Sequence, residues 1–266
     1  MKNAHVPQTV VITGGSSGIG RAAAKRFAER GDRVYDLSRH GAGDPGVTHI
    51  DADVTKPDTL NSAVAAITAE TGGIDLLVCC AGMGVSGPVE FIPEGDLRRQ
   101  FDVNLFGTIN TVKALLLVMR KARAGRIICV SSVAAVYAIP FPAYYSASKA
   151  AINAFADALN NEVKDFGISV CAVMPGDIAT GFTAAREKTV AGEDVYPKAA
   201  SAVAKMEQDE RNGMPPDAVA ALILKLADKK RVSPLYTVGG SYKALVFLKR
   251  LFPVAFASRI VGGMYQ

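Results

Sequence analysis

Between an apolar run, Thr9–Thr13, and an amphipathic segment, Arg21–Arg30, the chain places Gly14, Gly15, Gly18 and Gly20. The run reads as a strand and the segment as a helix. A strand that turns through glycines directly into a helix leaves bare backbone N–H groups at the positive end of the helix dipole. Such a terminus stabilises an anion, and glycine lets a pyrophosphate approach the backbone closely. In Thr13-Gly14-Gly15-Ser16-Ser17-Gly18-Ile19-Gly20 the spacing is G-x-x-x-G-x-G rather than the commoner dinucleotide spacing G-x-G-x-x-G. Glycine-rich turns also serve packing alone, so the flanking sequence has to decide between the two uses.

That flanking sequence alternates strand and helix patterns. Arg33–Ser38, Thr48–Asp51, Leu76–Cys80, Arg126–Ser131 and Ser169–Met174 read as further strands, with helical segments between most of them. Leu76-Leu77-Val78-Cys79-Cys80 and Ile127-Ile128-Cys129-Val130 are apolar throughout, as strands covered by helices on both faces must be. The pattern predicts an α/β, doubly wound Rossmann fold with a parallel sheet of about seven strands. No repeat or composition break divides the 266 residues, so a single domain is expected over 1–266. Within it, 181–214 has weaker periodicity and reads as a substrate-loop insertion. Pro215-Pro216-Asp217 opens a helix over Ala218–Asp228.

Composition removes several function classes. Three histidines and four cysteines (Cys79, Cys80, Cys129, Cys171) show no metal-ligand spacing, and the cysteines fit small buried hydrophobes in a reducing cytosol. No signal-peptide core follows Met1, and the longest apolar stretches fall short of the ~20 residues a bilayer needs, so a cytoplasmic protein is expected. The net charge of +5 is uneven: from Lys225 onward the chain carries +7, leaving −2 before it. A general nucleic-acid surface is therefore not expected.

Tyr145-Ser146-Ala147-Ser148-Lys149 opens a helical pattern continuing through Val163, which puts the Tyr145 phenol and the Lys149 ammonium on one face. A phenol with an ordinary pKa near 10 is a poor base at neutral pH unless positive charge favours its phenolate. Lys149 supplies that charge. Tyr144, the competitor, has Ser148 four residues on and no cation. Thirteen positions before Tyr145, Ser132 ends the fifth strand, with Ser131 beside it.

With these residues the chain resembles the short-chain dehydrogenase/reductase family, whose cofactor loop is T-G-x-x-x-G-x-G. The resemblance spans Thr13–Thr180, roughly two-thirds of the chain, with six motifs in family order. It implies hydride exchange between a nicotinamide cofactor and a ketone or secondary alcohol. Tyr145 would be the acid/base, Ser132 would orient the substrate oxygen, Lys149 would anchor the nicotinamide ribose, and Asn104 would hold a water of the proton relay. The cofactor site would comprise Thr13, Gly14, Ser16, Ser17, Gly18, Ile19 and Gly20, then Asp53 and Val54 at the adenine. Ala81 and Gly82 would complete it together with Asn104, Tyr145, Lys149 and the Pro175, Gly176, Ile178, Thr180 segment at the carboxamide. Where the family writes N-N-A-G, this chain has Cys79-Cys80-Ala81-Gly82, which puts the sheet-bridging asparagine contacts in doubt.

At the ribose, Ser38 followed by Arg39 implies NADP(H), since a cation welcomes the extra phosphate. Asp36 has two readings, a structural acid within the strand or, after a register shift, an NAD-selecting carboxylate. The segments around Gly82–Glu90 and Phe101–Gly107 resemble the hydroxysteroid and retinol dehydrogenase branch. They imply a lipophilic substrate held by Met83, Val133, Tyr137, Phe141, Phe182 and Tyr196; the same side chains are also ordinary core candidates. Reduction of 3-oxoacyl thioesters or small carbonyls is the alternative, and a non-catalytic NADP(H) sensor a third. A homodimer or homotetramer is usual in the family. The stretch 241–266 mixes Leu245, Val246, Phe247, Leu248, Leu251 and Phe252 with Lys243, Lys249 and Arg250, a basic amphipathic extension. It reads as a pocket lid, a peripheral membrane contact, or a helix packed on its own domain or on a second subunit.

Overall fold

A computed structural model of the chain describes residues 5–192, 194–249 and 251–253, with Ala255, Arg259, Gly262 and Gly263. In chain order the elements are β1 (Thr9–Thr13), α1 (Gly18–Arg30), β2 (Arg33–Ser38), β3 (Val47–Asp51), α2 (Pro57–Thr71) and β4 (Leu76–Cys79). Next come β5 (Val85–Ser86), α3 (Glu94–Phe101), α4 (Gly107–Ala122), β6 (Gly125–Val130), α5 (Ala143–Val163) and β7 (Ile168–Met174). The last are α6 (Phe182–Ala185), β8 (Glu187–Lys188), α7 (Ala199–Arg211), α8 (Pro216–Ala227), β9 (Leu235–Thr237) and α9 (Gly240–Lys249). Seven strands form a parallel sheet in the order β3-β2-β1-β4-β6-β7-β9. The six strands read from sequence appear within a residue of their expected ends. Unforeseen were β9, which closes the sheet, and the small parallel pair β5–β8.

Alternation along each strand builds two cores. Val11, Leu37, Leu77, Ile127 and Val170 face one side, under α2, α4 and α5. Val10, Ile12, Val34, Val78, Ile128 and Val173 face the other, under α1 and α8. Phe27 of α1 is fully buried there; truncation to Ala costs about 3 kcal/mol or more through lost contacts and a residual cavity. Chain direction from β1 splits both ways, to β2 and β3 on one side and across to β4 on the other, so a crevice opens above the carboxyl ends of β1 and β4.

One helix among the described residues, Glu94–Ala122, is long and apolar enough to cross a membrane by length and composition, which the apolar runs alone did not lead one to expect. Its Val112, Leu115 and Met119 are packed in the sheet core. Midway, Asp102–Phe106 winds as a π-helical turn that joins α3 to α4.

Candidate active site

At the turn from β1 to α1, Gly14 has φ +67°, and a Cβ there would stand 3.0 Å from the Ala81 backbone. At Gly20 a Cβ would meet the Gly14 carbonyl oxygen at 2.2 Å. Side chains are thus excluded where the backbone folds on itself. Ser17 caps α1 without a side-chain hydrogen bond, and no acid sits in the first turn. The helix terminus is left for an anion, and these features fit a pyrophosphate. Thr13, buried, accepts hydrogen bonds at Oγ1 from the Cys80 and Ala81 N–H groups at 3.2 and 3.3 Å. The Thr13 side chain therefore bridges β1 and the end of β4 where the family's asparagines are missing.

Asp36 lies beneath the loop and is almost completely buried. Its carboxylate accepts from the Gly15 N–H at 2.7 Å and from the Ser38 hydroxyl at 2.7 Å, with His49 Nδ1 at 3.3 Å. The structure favours the first of the two readings of Asp36: a strand residue bracing the glycine turn. Ser38 is buried against it, whereas Arg39 is exposed at the strand end. Burial pushes the Asp53 carboxyl up, but hydrogen bonds from Thr55 and the charges of Lys56 and Arg39 prevail and hold it below its ordinary value. Arg39 thus lies near enough to Asp53 for its charge to act on that carboxylate.

The crevice has a volume of about 590 Å³. Its walls include Gly14, Ser17, Gly18, Ile19 and Gly20 of the glycine turn, Pro175, Gly176, Ile178 and Thr180, with Gly18 beside Thr180, and Ala81, Gly82, Ser132, Tyr145 and Lys149. Thr13, Ser16, Ser38, Arg39, Asp53, Val54 and Asn104 do not line it. Asn104 sits just behind: wholly buried on the π-helical turn, it accepts from Met83 N at 2.8 Å and donates to Met83 O at 3.0 Å and Ser148 Oγ at 3.1 Å. A Cβ on Gly82 would stand 3.3 Å from Asn104 Oδ1 and 3.6 Å from Lys149 Nζ, so both polar heads converge under that glycine.

Tyr145 and Lys149 occupy successive turns of α5, the ammonium 5.7 Å from the phenol ring centre. Burial pushes the phenol up to about 12, opposed by its hydrogen bond with Ser132. Burial pushes Lys149 down to about 8; its Nζ donates to Val130 O at 3.0 Å. Ser131 turns away, donating to Lys149 O at 3.0 Å, and so steadies the helix while Ser132 faces the phenol. Tyr144 reaches outward to Val89 O at 3.3 Å. The four cysteines are free, and burial pushes Cys80 up to about 12, an inert thiol.

Of the six residues expected to hold substrate, Val133, Tyr137 and Phe182 line the crevice. Phe182 covers Tyr145 at 5.7 Å between ring centres. Met83, Phe141 and Tyr196 are not in its walls. Met83 is tied by its backbone to Asn104, Phe141 adopts φ +75° and accepts the Gly87 N–H at 3.1 Å, and Tyr196 packs edge-on against Phe91.

Sequence reading did not find the polar wall opposite. Arg186, its side chain 3% exposed, donates to Glu210 at 2.5 Å, and Thr183 Oγ1 donates to the other Glu210 oxygen at 2.7 Å. Glu207 pairs with Lys188 at 2.9 Å and Arg211 at 3.1 Å. The Glu207/Glu210 spacing on one face of α7 was the available signal. From α9, Tyr242 lies over Gly176 and donates to the Asp177 carboxylate, and Tyr137 donates to Leu245 O at 2.7 Å. Burial raises the Asp177 pKa, with Glu210 and Asp209 adding to the rise against the Tyr242 hydrogen bond. The segment 181–214 thus forms one flank of the crevice and α9 another. The remainder of the expected extension, apart from the few positions named above, lies outside the described residues.

Known proteins resemble this chain in sequence and fold. The chain is 40% identical over 247 residues to the 3-ketodihydrosphingosine reductase of Bacteroides thetaiotaomicron, covering 91% of each. It is 30% identical to retinol dehydrogenase 8 of Bos taurus over 94% of this chain and 87% of that one. A short-chain dehydrogenase from Streptomyces avermitilis superposes with a TM-score of 0.83 at 27% identity, over 92% of this chain and 94% of that one. Residues 8–191 match the family model described as short chain dehydrogenase. With its nicotinamide-binding fold and its crevice at the sheet switch point, the protein is an oxidoreductase acting on CH–OH and C=O groups, a member of the short-chain dehydrogenase family.

Proposed function

We propose that the protein is an NADP(H)-dependent reductase of a lipophilic ketone, working reversibly on the matching secondary alcohol. The observation that carries this reading is the placement of Tyr145, Ser132 and Lys149 in one crevice, facing the bare glycine turn of α1. When bound, the nicotinamide supplies or accepts the hydride. Gly14, Gly18 and Gly20 would receive the pyrophosphate, and Arg39, exposed at the end of β2, would pair with the ribose phosphate. Lys149 orients the ribose. The Ser132 hydroxyl donates to the substrate oxygen, and the Tyr145 phenol gives that oxygen its proton in reduction and takes it back in oxidation. Burial holds the Tyr145 pKa up at about 12, so in the apo crevice the phenol carries its proton, the form that reduction uses, while the lowering expected from Lys149 is not among the influences on it.

For the substrate, Val133, Tyr137, Phe182 and Leu245 supply apolar wall, while Arg186, Asp209 and Glu210 supply charge at one side. A crevice of two characters suits an amphiphile with a polar group near its ketone. The likeness to a 3-ketodihydrosphingosine reductase favours a long-chain lipid ketone of that kind over a rigid steroid or retinoid. The test is loss of nicotinamide absorbance with NADPH or NADH against 3-ketodihydrosphingosine, steroid ketones, retinal, acetoacetyl thioesters and small ketones. Turnover of the long-chain ketone preferring NADPH is expected. Turnover confined to thioesters overturns the substrate assignment, and NADPH binding without turnover of any ketone overturns the enzymatic one.

A further inference from the structure

Helix α9 carries apolar side chains on its outer side as well as its inner one. On its inner side Tyr242 and Val246 join Val133, Tyr137 and Met174. One turn later Lys249 is also drawn inward, donating to Val136 O with its ammonium 5.0 Å from the Tyr137 ring centre. Burial lowers the pKa of this lysine, so the fold keeps a cation inside at some cost. The outer side is apolar too: Phe247 is 58% exposed, Leu248 44% and, just past the helix, Leu251 64%. A surface helix in water normally turns polar and charged side chains outward. The excess apolar area matches something that is not water.

The charge pattern says what that is. From Gly240 to the end of the chain there are four cations and no acid: Lys249 is the one drawn inward, Lys243 is exposed on α9, and Arg250 and Arg259 follow in the sequence. Beyond Arg250 the sequence runs on as Leu251-Phe252-Pro253-Val254-Ala255-Phe256, still strongly apolar. Apolar side chains flanked by unopposed cations are the composition of an interfacial helix on an anionic bilayer. A second protein copy bearing the same face would bring like charges together.

We infer that the outer face of α9, centred on Phe247, Leu248 and Leu251, is a docking surface for an anionic phospholipid bilayer. Because Tyr242 and Leu245 of the same helix line the crevice, docking brings the crevice wall to the lipid surface. The inference does not depend on which ketone is reduced, since lipid binding and turnover are read separately.

The experiment is flotation of the full chain with vesicles of phosphatidylcholine containing phosphatidylglycerol, and with phosphatidylcholine alone. The protein is expected to float with the anionic vesicles, less with the neutral ones, and less as salt rises. Phe247→Glu/Leu251→Glu should lower the bound fraction about tenfold or more, and Phe247→Ser/Leu251→Ser several-fold; NADPH affinity checks that each variant is folded. Lys243→Glu/Arg250→Glu should abolish the preference for anionic vesicles. The inference is overturned if the intact protein stays unbound with both vesicle types, or if the folded variants float as it does. It is equally overturned if size-exclusion chromatography shows the Glu variant splitting a dimer into monomers, since a second copy would then be the occupant.

Discussion

At the phosphate end of the crevice, Gly14, Gly18 and Gly20 come from a single turn between β1 and α1 and act through bare backbone. At the substrate end, Tyr137, Arg186, Glu210 and Tyr242 come from four separate segments and act through side chains joined in hydrogen bonds and ion pairs. The first region is specified largely locally: Gly20 by the Gly14 carbonyl of the same turn, Gly14 and Gly18 by their positive φ, with Gly14 also abutting the Ala81 backbone. The second exists only once α6, α7 and α9 have docked over α5. A local device tolerates divergence elsewhere in the chain, whereas an assembled one can be retuned by changing any of its contributors. Chemistry belongs to the first kind, with Tyr145 and Lys149 one helical turn apart, and substrate choice to the second.

The largest test of this contrast is Tyr145→Phe. Turnover should fall about 10²–10⁴-fold, the usual contribution of a positioned acid/base, with NADPH affinity within about twofold by fluorescence titration. Retained turnover would move the proton donor elsewhere and break the local half of the comparison. Next in size, Arg186→Met leaves Glu210 and Glu207 buried with fewer cations and should destabilise the fold by about 3 kcal/mol in urea titration. A cost under about 0.5 kcal/mol would show that the assembled wall does not depend on its ion pairs.

Gly20→Ala should cost about 1–3 kcal/mol of stability by overpacking against the Gly14 carbonyl, and weaken NADPH binding at the same time. Stability lost without any change in NADPH affinity would confine the glycine to packing.

The buried lysine gives a pH signature. Lys149 drops from 10.5 to about 8 on folding, so between those values the unfolded chain holds more protons on this group and its contribution to stability rises with pH, against the buried cysteines, whose raised values act in the opposite direction above about 9. The desolvation penalty is fully present below about 8 and relieved above the unfolded value. Tyr145, raised to about 12, acts in the opposite direction only above its ordinary value of 10. Melting temperatures at about pH 7.5 and pH 9.5 should therefore rise for the apo protein more than for Lys149→Met. Equal slopes would remove the assignment. The smallest effect expected is Arg39→Ala, about tenfold in NADPH-over-NADH preference, because the side chain is exposed and solvent screens its charge. An unchanged preference would place the ribose phosphate contact on another residue.

Much of this was legible from residues. Continuous apolar runs alternating with helical segments announced the parallel sheet, because a strand buried on both faces has no room for polar side chains. The Tyr145–Lys149 spacing announced a shared face, because helix geometry makes residues four apart neighbours. Short β9 escaped notice because Leu235–Thr237 becomes a strand by pairing with β7, with little pattern of its own. Met83, Phe141 and Tyr196 were candidate crevice residues by their apolar character, which does not report direction. Met83 was claimed by Asn104, and Tyr196 by Phe91.

What the amino-acid order determined by itself is everything that depends on neighbours within a turn or a strand: the glycine cradle, the paired phenol and ammonium, and the apolar strands. What only the tertiary structure decided is which side of α9 faces inward, that Asp36 braces the glycine turn, and that Arg186 and Glu210 close the crevice beside Tyr145. These depend on contacts between residues distant in the chain. Such contacts form only when burial of the two cores has offset the entropy of closing the intervening loops, and no local pattern encodes that outcome.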